Sequence, residues 1–280
     1  GSGKSQLCQQ AATAIAASLP FMGLPTIGGA AVLISAEDSD KVPHSRQRRL
    51  NDTLGVTMRD LAGRLFIRCL ADTDIFLFSD GKPTSLANDL ETQLATIAGL
   101  RLVVIDSAAL VFDDEEISRR RVGAFLRDLN RRAARLSCAI VLITHTSKGS
   151  DGSAAKAFSG STAWVWHARS ALLLTAQTND EPAVLTLIKA NYTKAGIKTE
   201  MRWSDSGVLE LVGAPDETLA RMGRRPVERA VLDHVAKAWS RESPLSTAPS
   251  VKDRYLPSYM ARHGFRAADA EKVMQTFIDT

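Results

Sequence analysis

Gly1-Ser2-Gly3-Lys4-Ser5 opens the chain and decides how the rest is read. It matches the closing residues of the phosphate-binding loop G-x-x-x-x-G-K-[S/T], with Gly3-Lys4-Ser5 as the G-K-S. In that loop, backbone N–H groups wrap nucleotide phosphates, here those of Gly1, Ser2 and Gly3. Lys4 would reach the β- and γ-phosphates, and the Ser5 hydroxyl would bind Mg²⁺. A helix follows, so its N-terminal dipole also faces the anion. The motif's first Gly, and the strand that feeds such a loop, would lie upstream of Gly1. Gly-Ser at a terminus is also what a cloning scar leaves, so the reading rests on what comes next.

Working outward, Gln6 to Leu19 is an Ala-rich apolar run suited to a buried helix and ended by Pro20. Ala30 to Ser35 reads as a buried parallel strand running into Ala36-Glu37-Asp38. An acid just past such a strand points into the crevice where α/β folds bind ligands. Glu37 is therefore either the base that positions and polarises an attacking water or a residue that helps start the next helix. Ser39 to Leu54 is polar and basic, a surface helix. Arg64 to Leu70 is a strand, Ala71 to Ser85 a loop turning at Asp80-Gly81, and Leu86 to Leu100 an amphipathic helix.

Arg101-Leu102-Val103-Val104-Ile105-Asp106-Ser107 is the second anchor. Apolar residues run straight into one aspartate at the strand end, the place of the acid that helps hold Mg²⁺ in nucleotide hydrolases. The alternative for Asp106 is a turn or helix-start residue. Phe112 to Ser118 reads as an acidic loop that, following a strand at the nucleotide edge, would face DNA, and Arg119 to Arg135 as a helix, apolar at Val122, Phe125, Leu126 and Leu129. Its arginine face is solvated, touches DNA or meets a neighbouring subunit.

Cys138 to Thr144 reads as a further buried strand, ending at His145. His145 either contacts the γ-phosphate or attacking water, or is a structural histidine. The Gly/Ser/Ala-rich stretch Ser147 to Gly160, with Lys148 and Lys156, is either a loop that grips a phosphodiester backbone or a plain surface loop. Ala171 to Ala176, Val184 to Ala190, Thr199 to Trp203 and Gly207 to Val212 are antiparallel strands extending the parallel core. Residues 213–225 read as a linker, and 226–280 as a small helical, winged-helix-like module that the sequence as given need not complete.

Composition bounds the function. The 280 residues suffice for one large α/β domain and an appendage, and 45% hydrophobic with 24% charged residues is ordinary for a globular chain. No charge-free apolar run is long enough to span a bilayer. The three cysteines, Cys8, Cys69 and Cys138, show no metal or disulfide spacing and read as buried core thiols of a reducing cytoplasm. A net charge of +4 is compatible with a polyanionic partner.

The series GKS, AED, VVIDS, THTSKG, SGST, W-x-x-x-R-S and IKANY resembles the RecA/DnaB-type P-loop ATPases, within them the RepA-like hexameric replicative helicases of plasmids and phages. The resemblance covers roughly residues 1–212. It implies a RecA-like, mainly parallel sheet flanked by helices and an ATP- and Mg²⁺-dependent ring motor, a homo-oligomer and a hexamer, on single-stranded DNA in the cytoplasm. Residue by residue it implies Lys4 and Ser5 on phosphate and Mg²⁺, Glu37 activating water, Asp106 as the second Mg²⁺ residue, and His145 as γ-phosphate sensor. Arg169 falls where such ATPases place an arginine finger that reaches the adjacent subunit's nucleotide, with Lys189 as the runner-up for the trans-acting cation; ordinary strand-end charge pairing is the alternative for both. Where some relatives carry paired histidines, this chain has Thr144-His145, which leaves unwinding open beside a recombination or regulatory ATPase or a non-catalytic DNA-binding module.

Overall fold

The computed structural model describes residues 3–71, 73–145, 163–178 and 181–278. In its first half, α1 (Lys4–Ala16), β1 (Ala30–Ser35), α2 (Lys41–Leu54), α3 (Met58–Leu61) and β2 (Leu65–Cys69) are followed by β3 (Phe78–Ser79), β4 (Lys82–Pro83), α4 (Ser85–Ala95) and β5 (Leu100–Asp106). Next come α5 (Ala108–Val111), β6 (Phe112–Asp113), α6 (Arg119–Arg135), β7 (Ala139–Ile143) and α7 (Ala163–His167). The strands β8 (Ser170–Thr175), β9 (Ala183–Ala190), β10 (Lys198–Trp203) and β11 (Leu209–Leu211) precede three helices, α8 (Glu217–Ser240), α9 (Leu256–Arg262) and α10 (Ala267–Ile278).

All of β1 is buried, as a central strand covered on both faces must be. It sits in a parallel sheet of order β2-β1-β5-β7. Alternation along the strands divides the core. Ala31, Leu33, Leu102 and Val104 face Ala12 of α1, while Val32, Ile34, Val103 and Ile105 face Val122, Phe125 and Leu129 of α6. β7 was expected to be buried, yet Ala139 and Val141 are exposed, Ile140 and Leu142 pack partly buried on the α6 side, and only Ile143 at its end is fully buried, on the α1 side. A continuous apolar run suits an edge strand covered on one face as well as a buried one.

The antiparallel strands form a second sheet, β11-β10-β9-β8. It meets the parallel sheet through α1, where Leu7 packs on Leu174, Ala183, Met201 and Leu209 and the Gln10 amide donates to the Leu209 carbonyl at 2.8 Å. The helix is thus less apolar than its alanines suggest: Gln6, Gln9, Gln10 and Thr13 are all buried. Gln9 donates to the Pro43 carbonyl at 2.8 Å and to Gln47 at 3.1 Å, Thr13 donates to Gln47 at 3.2 Å, and Gln47 donates to Asn51 at 2.9 Å. This buried ladder binds α2, expected as a surface helix, to α1. The three cysteines are free and partly, not fully, buried. Burial, with the charge of Asp106, pushes the Cys8 thiol up to about 12, so it stays protonated and unreactive.

Phe112 to Ser118, expected as a DNA-facing loop, turns inward at its start. Phe112 is buried among Phe78, Phe125 and Trp164, with ring centroids 5.3 to 5.9 Å away. Asp114 accepts the Gly81 N–H at 2.8 Å and pairs with Arg121. The residues left exposed, Asp113, Glu115, Glu116 and Ile117, offer acid and apolar surface, which does not attract a phosphate backbone.

Arg132, expected on an outer arginine face, is 6% exposed. Its guanidinium meets Glu91 and Asp128, each at 2.6 Å, Asn88 at 2.9 Å and the Ala87 carbonyl at 2.7 Å, joining α6 to α4. Truncating one partner of a buried charge network strands the others. Arg132→Ala is expected to lower stability by about 3–5 kcal/mol, read from urea unfolding. A loss under about 1 kcal/mol would mean that the network is solvated like a surface pair.

Residues 213–225 are not a loop throughout. The 24-residue α8 starts at Glu217 and runs through Pro226. The Asp216 carboxylate caps it, accepting the N–H groups of Thr218 and Leu219 at 2.9 and 3.1 Å. Val227 and Val231 beyond the proline are buried against Leu256, Met260, Phe265, Val273 and Met274, which holds the helix together across the break. Ile27 packs on this helical cluster. A Cβ on Gly28 would lie 2.4 Å from the Gly264 carbonyl oxygen, so only glycine lets the module sit this close. The contact is at the N-terminal end of β1, away from Glu37.

Candidate nucleotide site

The parallel strands set the geometry of the site. Ser35 pairs with Asp106, and the Ala36 N–H donates to the Asp106 carbonyl at 2.7 Å, so the acids that follow β1 and end β5 share one edge. β7 lies next to β5 and delivers His145 to the same edge. Glu37 Oε1 accepts a hydrogen bond from the Ser107 hydroxyl and lies 3.0 Å from His145 Nε2. Burial pushes the Glu37 carboxyl up, but the bonds from Ser107 and His145 and the charges of His145 and Lys4 outweigh it, so it sits below its ordinary value. A carboxylate ionised at neutral pH and held on two sides can accept a hydrogen bond from a water and orient it, though its lowered value makes positioning, more than basicity, its strength.

Asp106 differs. It is 2% exposed, and its Oδ1 has no hydrogen-bond partner. Burial raises its carboxyl; a hydrogen bond with Ser5 opposes this, and the charges of Glu37 and Asp38 add to the rise. Gly3 has φ of +88° and α1 begins at Lys4, whose charge acts on both Glu37 and Cys8. Among the described residues no group of three or more His, Cys, Asp or Glu could hold a metal. Ser5 and Asp106 instead offer hard oxygen donors of the number Mg²⁺ takes when it keeps most of its waters. An orphaned buried carboxylate oxygen beside a helix N-terminus fits a cation there, and the glycine cradle fits phosphate.

A consequence follows for the nucleotide-free chain. An aspartate raised on folding adds stability below its unfolded value of about 3.9 and loses it as pH climbs through the folded value. Asp106→Asn should therefore raise the urea midpoint at pH 7, with a gain that vanishes below about pH 4. A gain independent of pH would show that the charge is not the cause.

The other expected site residues lie apart from this cluster. Arg169 is exposed at the entry to β8, its carbonyl accepting the Asn191 N–H at 3.1 Å. Lys189, expected as a trans-acting cation, is occupied within its own chain: its ammonium donates to the carbonyls of Trp166 and Ala168, the latter at 2.7 Å, at the end of α7. Gly1, Ser2, Lys148 and Lys156 lie outside the described residues. Ser107 received no role from the sequence. Its position directly after the strand-end acid is the signal that could have found it.

A family model described as "AAA domain" matches residues 1–151. The chain belongs to that AAA domain family. The match takes in Gly3, Lys4, Ser5, Glu37, Asp106 and His145, the whole of the cluster just described, and stops short of Arg169 and Lys189. The crystal structure of the RadB recombinase is similar in fold, with a TM-score of 0.50 at 16% identity over 76% of this chain and 86% of that one. No curated protein matches. The AAA domain is thus a P-loop ATPase of RecA-like α/β fold, with a nucleotide as its ligand. No described helix is long and apolar enough to cross a membrane.

Proposed function

We propose that this AAA domain hydrolyses ATP to do work on single-stranded DNA, as a ring-forming replicative helicase of the plasmid and phage type. The observation that carries the hydrolytic part is Glu37, a carboxylate fixed by Ser107 and His145 beside Lys4, Ser5 and Asp106. Lys4 and the N–H groups at the start of α1 would hold the phosphates, and Ser5 and Asp106 would hold Mg²⁺. The metal, when bound, neutralises charge on the phosphoryl oxygens. Glu37, held through Oε1 by Ser107 and His145, would orient a water and take its proton at the other carboxylate oxygen, and His145 would feel whether the γ-phosphate is present. The motif series supports the DNA-directed output, and the exposed Arg169 suits a finger reaching a second subunit. Residues 1–212 would form the motor, and the helices from α8 onward an accessory module.

The fold likeness to the RadB recombinase favours one rival, a recombination-type ATPase without unwinding. ATP turnover with and without single-stranded DNA, run beside displacement of a labelled strand, separates the two. Stimulation with displacement supports the helicase. Stimulation without displacement supports the rival, and no turnover removes both.

A further inference from the structure

Trp203 lies on the phosphate loop. A Cβ built on Gly3 would stand 2.8 Å from Trp203 Cζ2, and 3.4 Å from both Trp203 Cη2 and Leu209 Cδ1. The missing side chain at Gly3 is what lets the benzo edge of the indole reach the backbone just before Lys4. Trp203 ends β10 opposite Leu209 of β11. This hairpin is pinned at three points: the Trp203 N–H donates to Gln177 Oε1 at 2.9 Å, the Gln10 amide donates to the Leu209 carbonyl at 2.8 Å, and the Thr53 hydroxyl donates to the Ser206 hydroxyl at 3.0 Å. Trp203 is nevertheless 38% exposed as a residue. A well-fixed aromatic that touches a phosphate loop with one edge, and still keeps much of its surface in water, has room for a flat apolar partner.

We infer that Trp203 binds the nucleoside end of the triphosphate by stacking on its base. The inference rests on the reading of Gly3, Lys4 and Ser5 as the phosphate site. α1 lies between the two sheets, with the acids Glu37 and Asp106 on the parallel-sheet side and the indole on the hairpin side. The parallel-sheet side carries the carboxylates that would serve the metal and the attacking water, whereas the hairpin side offers a π surface. Stacking is tolerant of base identity because every base has a π face. ATP and GTP should therefore bind with affinities within roughly a few-fold of each other.

The test is calorimetric titration of the chain with Mg-ATP and, separately, with Mg-tripolyphosphate, which has the phosphates and no base. Trp203→Ala is expected to weaken ATP between about 5- and 150-fold and to leave tripolyphosphate within about 2-fold. Trp203→Phe keeps an aromatic face on the loop and should recover most of the ATP affinity. Equal weakening of both ligands, or of neither, would overturn the inference: the first outcome makes Trp203 a packing residue of the loop, and the second removes it from the site. Lys4→Ala separates the underlying reading. It should lose both ligands, and undiminished binding of both would sink the phosphate site itself rather than the role of Trp203.

Discussion

Glu37→Gln is expected to leave ATP bound and almost unhydrolysed. The substitution keeps the size of the side chain and its ability to accept from Ser107, and it removes the proton acceptor. Turnover should fall on the order of 10²–10⁴-fold, the usual contribution of a positioned base, while the dissociation constant for Mg-ATP changes little. Single-turnover phosphate release and nucleotide titration read the two quantities apart. A fall of only a few-fold would return Glu37 to the role of a helix-start residue. The pH profile adds a signature that a structural role lacks. Burial raises the Glu37 carboxyl and the Ser107 and His145 contacts lower it further than burial raises it, so the base form persists below the ordinary glutamate value of about 4.3. The stability this depression adds is present above that value and is lost as pH falls through the folded one. Ser107→Ala removes the first lowering contact, so the acid limb of kcat/KM should move to higher pH.

Arg169→Ala should silence the assembled ATPase by about 10³–10⁵-fold, the range of an arginine finger supplied in trans, with nucleotide affinity within a few-fold. The residue suits that task through its surroundings. Its side chain is exposed, and its backbone is held by the Asn191 N–H, by Lys189 on the carbonyls of Trp166 and Ala168, and by the seat of α7 on α6. That seat depends on Gly123, where a Cβ would come within 2.6 Å of His167 Nε2. Mixing decides between neighbour and self. A Lys4→Ala subunit has a poor phosphate grip and an intact Arg169, so adding it to Arg169→Ala subunits should restore turnover. Mixtures as inactive as the parents would place Arg169 in its own site or among ordinary surface charges.

Much of the site was legible because parallel strands write themselves as apolar runs, and an acid that ends a run can only stand at the sheet edge. Asp106 and Glu37 were placed at the edge that way, and neighbouring strands β1 and β5 bring them together there. What escaped depends on partners distant in sequence. Lys189 looks like a spare cation until the carbonyls at the end of α7 are placed beside it. The glutamines of α1 read as neutral filler in an Ala-rich helix, and only the approach of α2 shows Gln9, and that of the hairpin Gln10, buried and bonded. Residues 213–225 carry Gly213, Pro215 and Gly223, which punctuate a sequence like a linker, yet the Asp216 cap and the burial of Val227 and Val231 outweigh those signals. The placement of Trp203 on Gly3 joins the two ends of the motor and has no local signature.

The amide ladder between α1 and α2 makes the two helices one lever. Phosphate held at the N-terminus of α1 pulls along that helix's axis, and any slip against α2 would break the bonds from Gln9 to Pro43 and Gln47 in a place water does not reach. On its far side α2 is tied to Asp38 through Arg46 at 2.7 Å. The segment that carries Glu37 is thus braced at both of its ends, by β1 before it and by α2 after it.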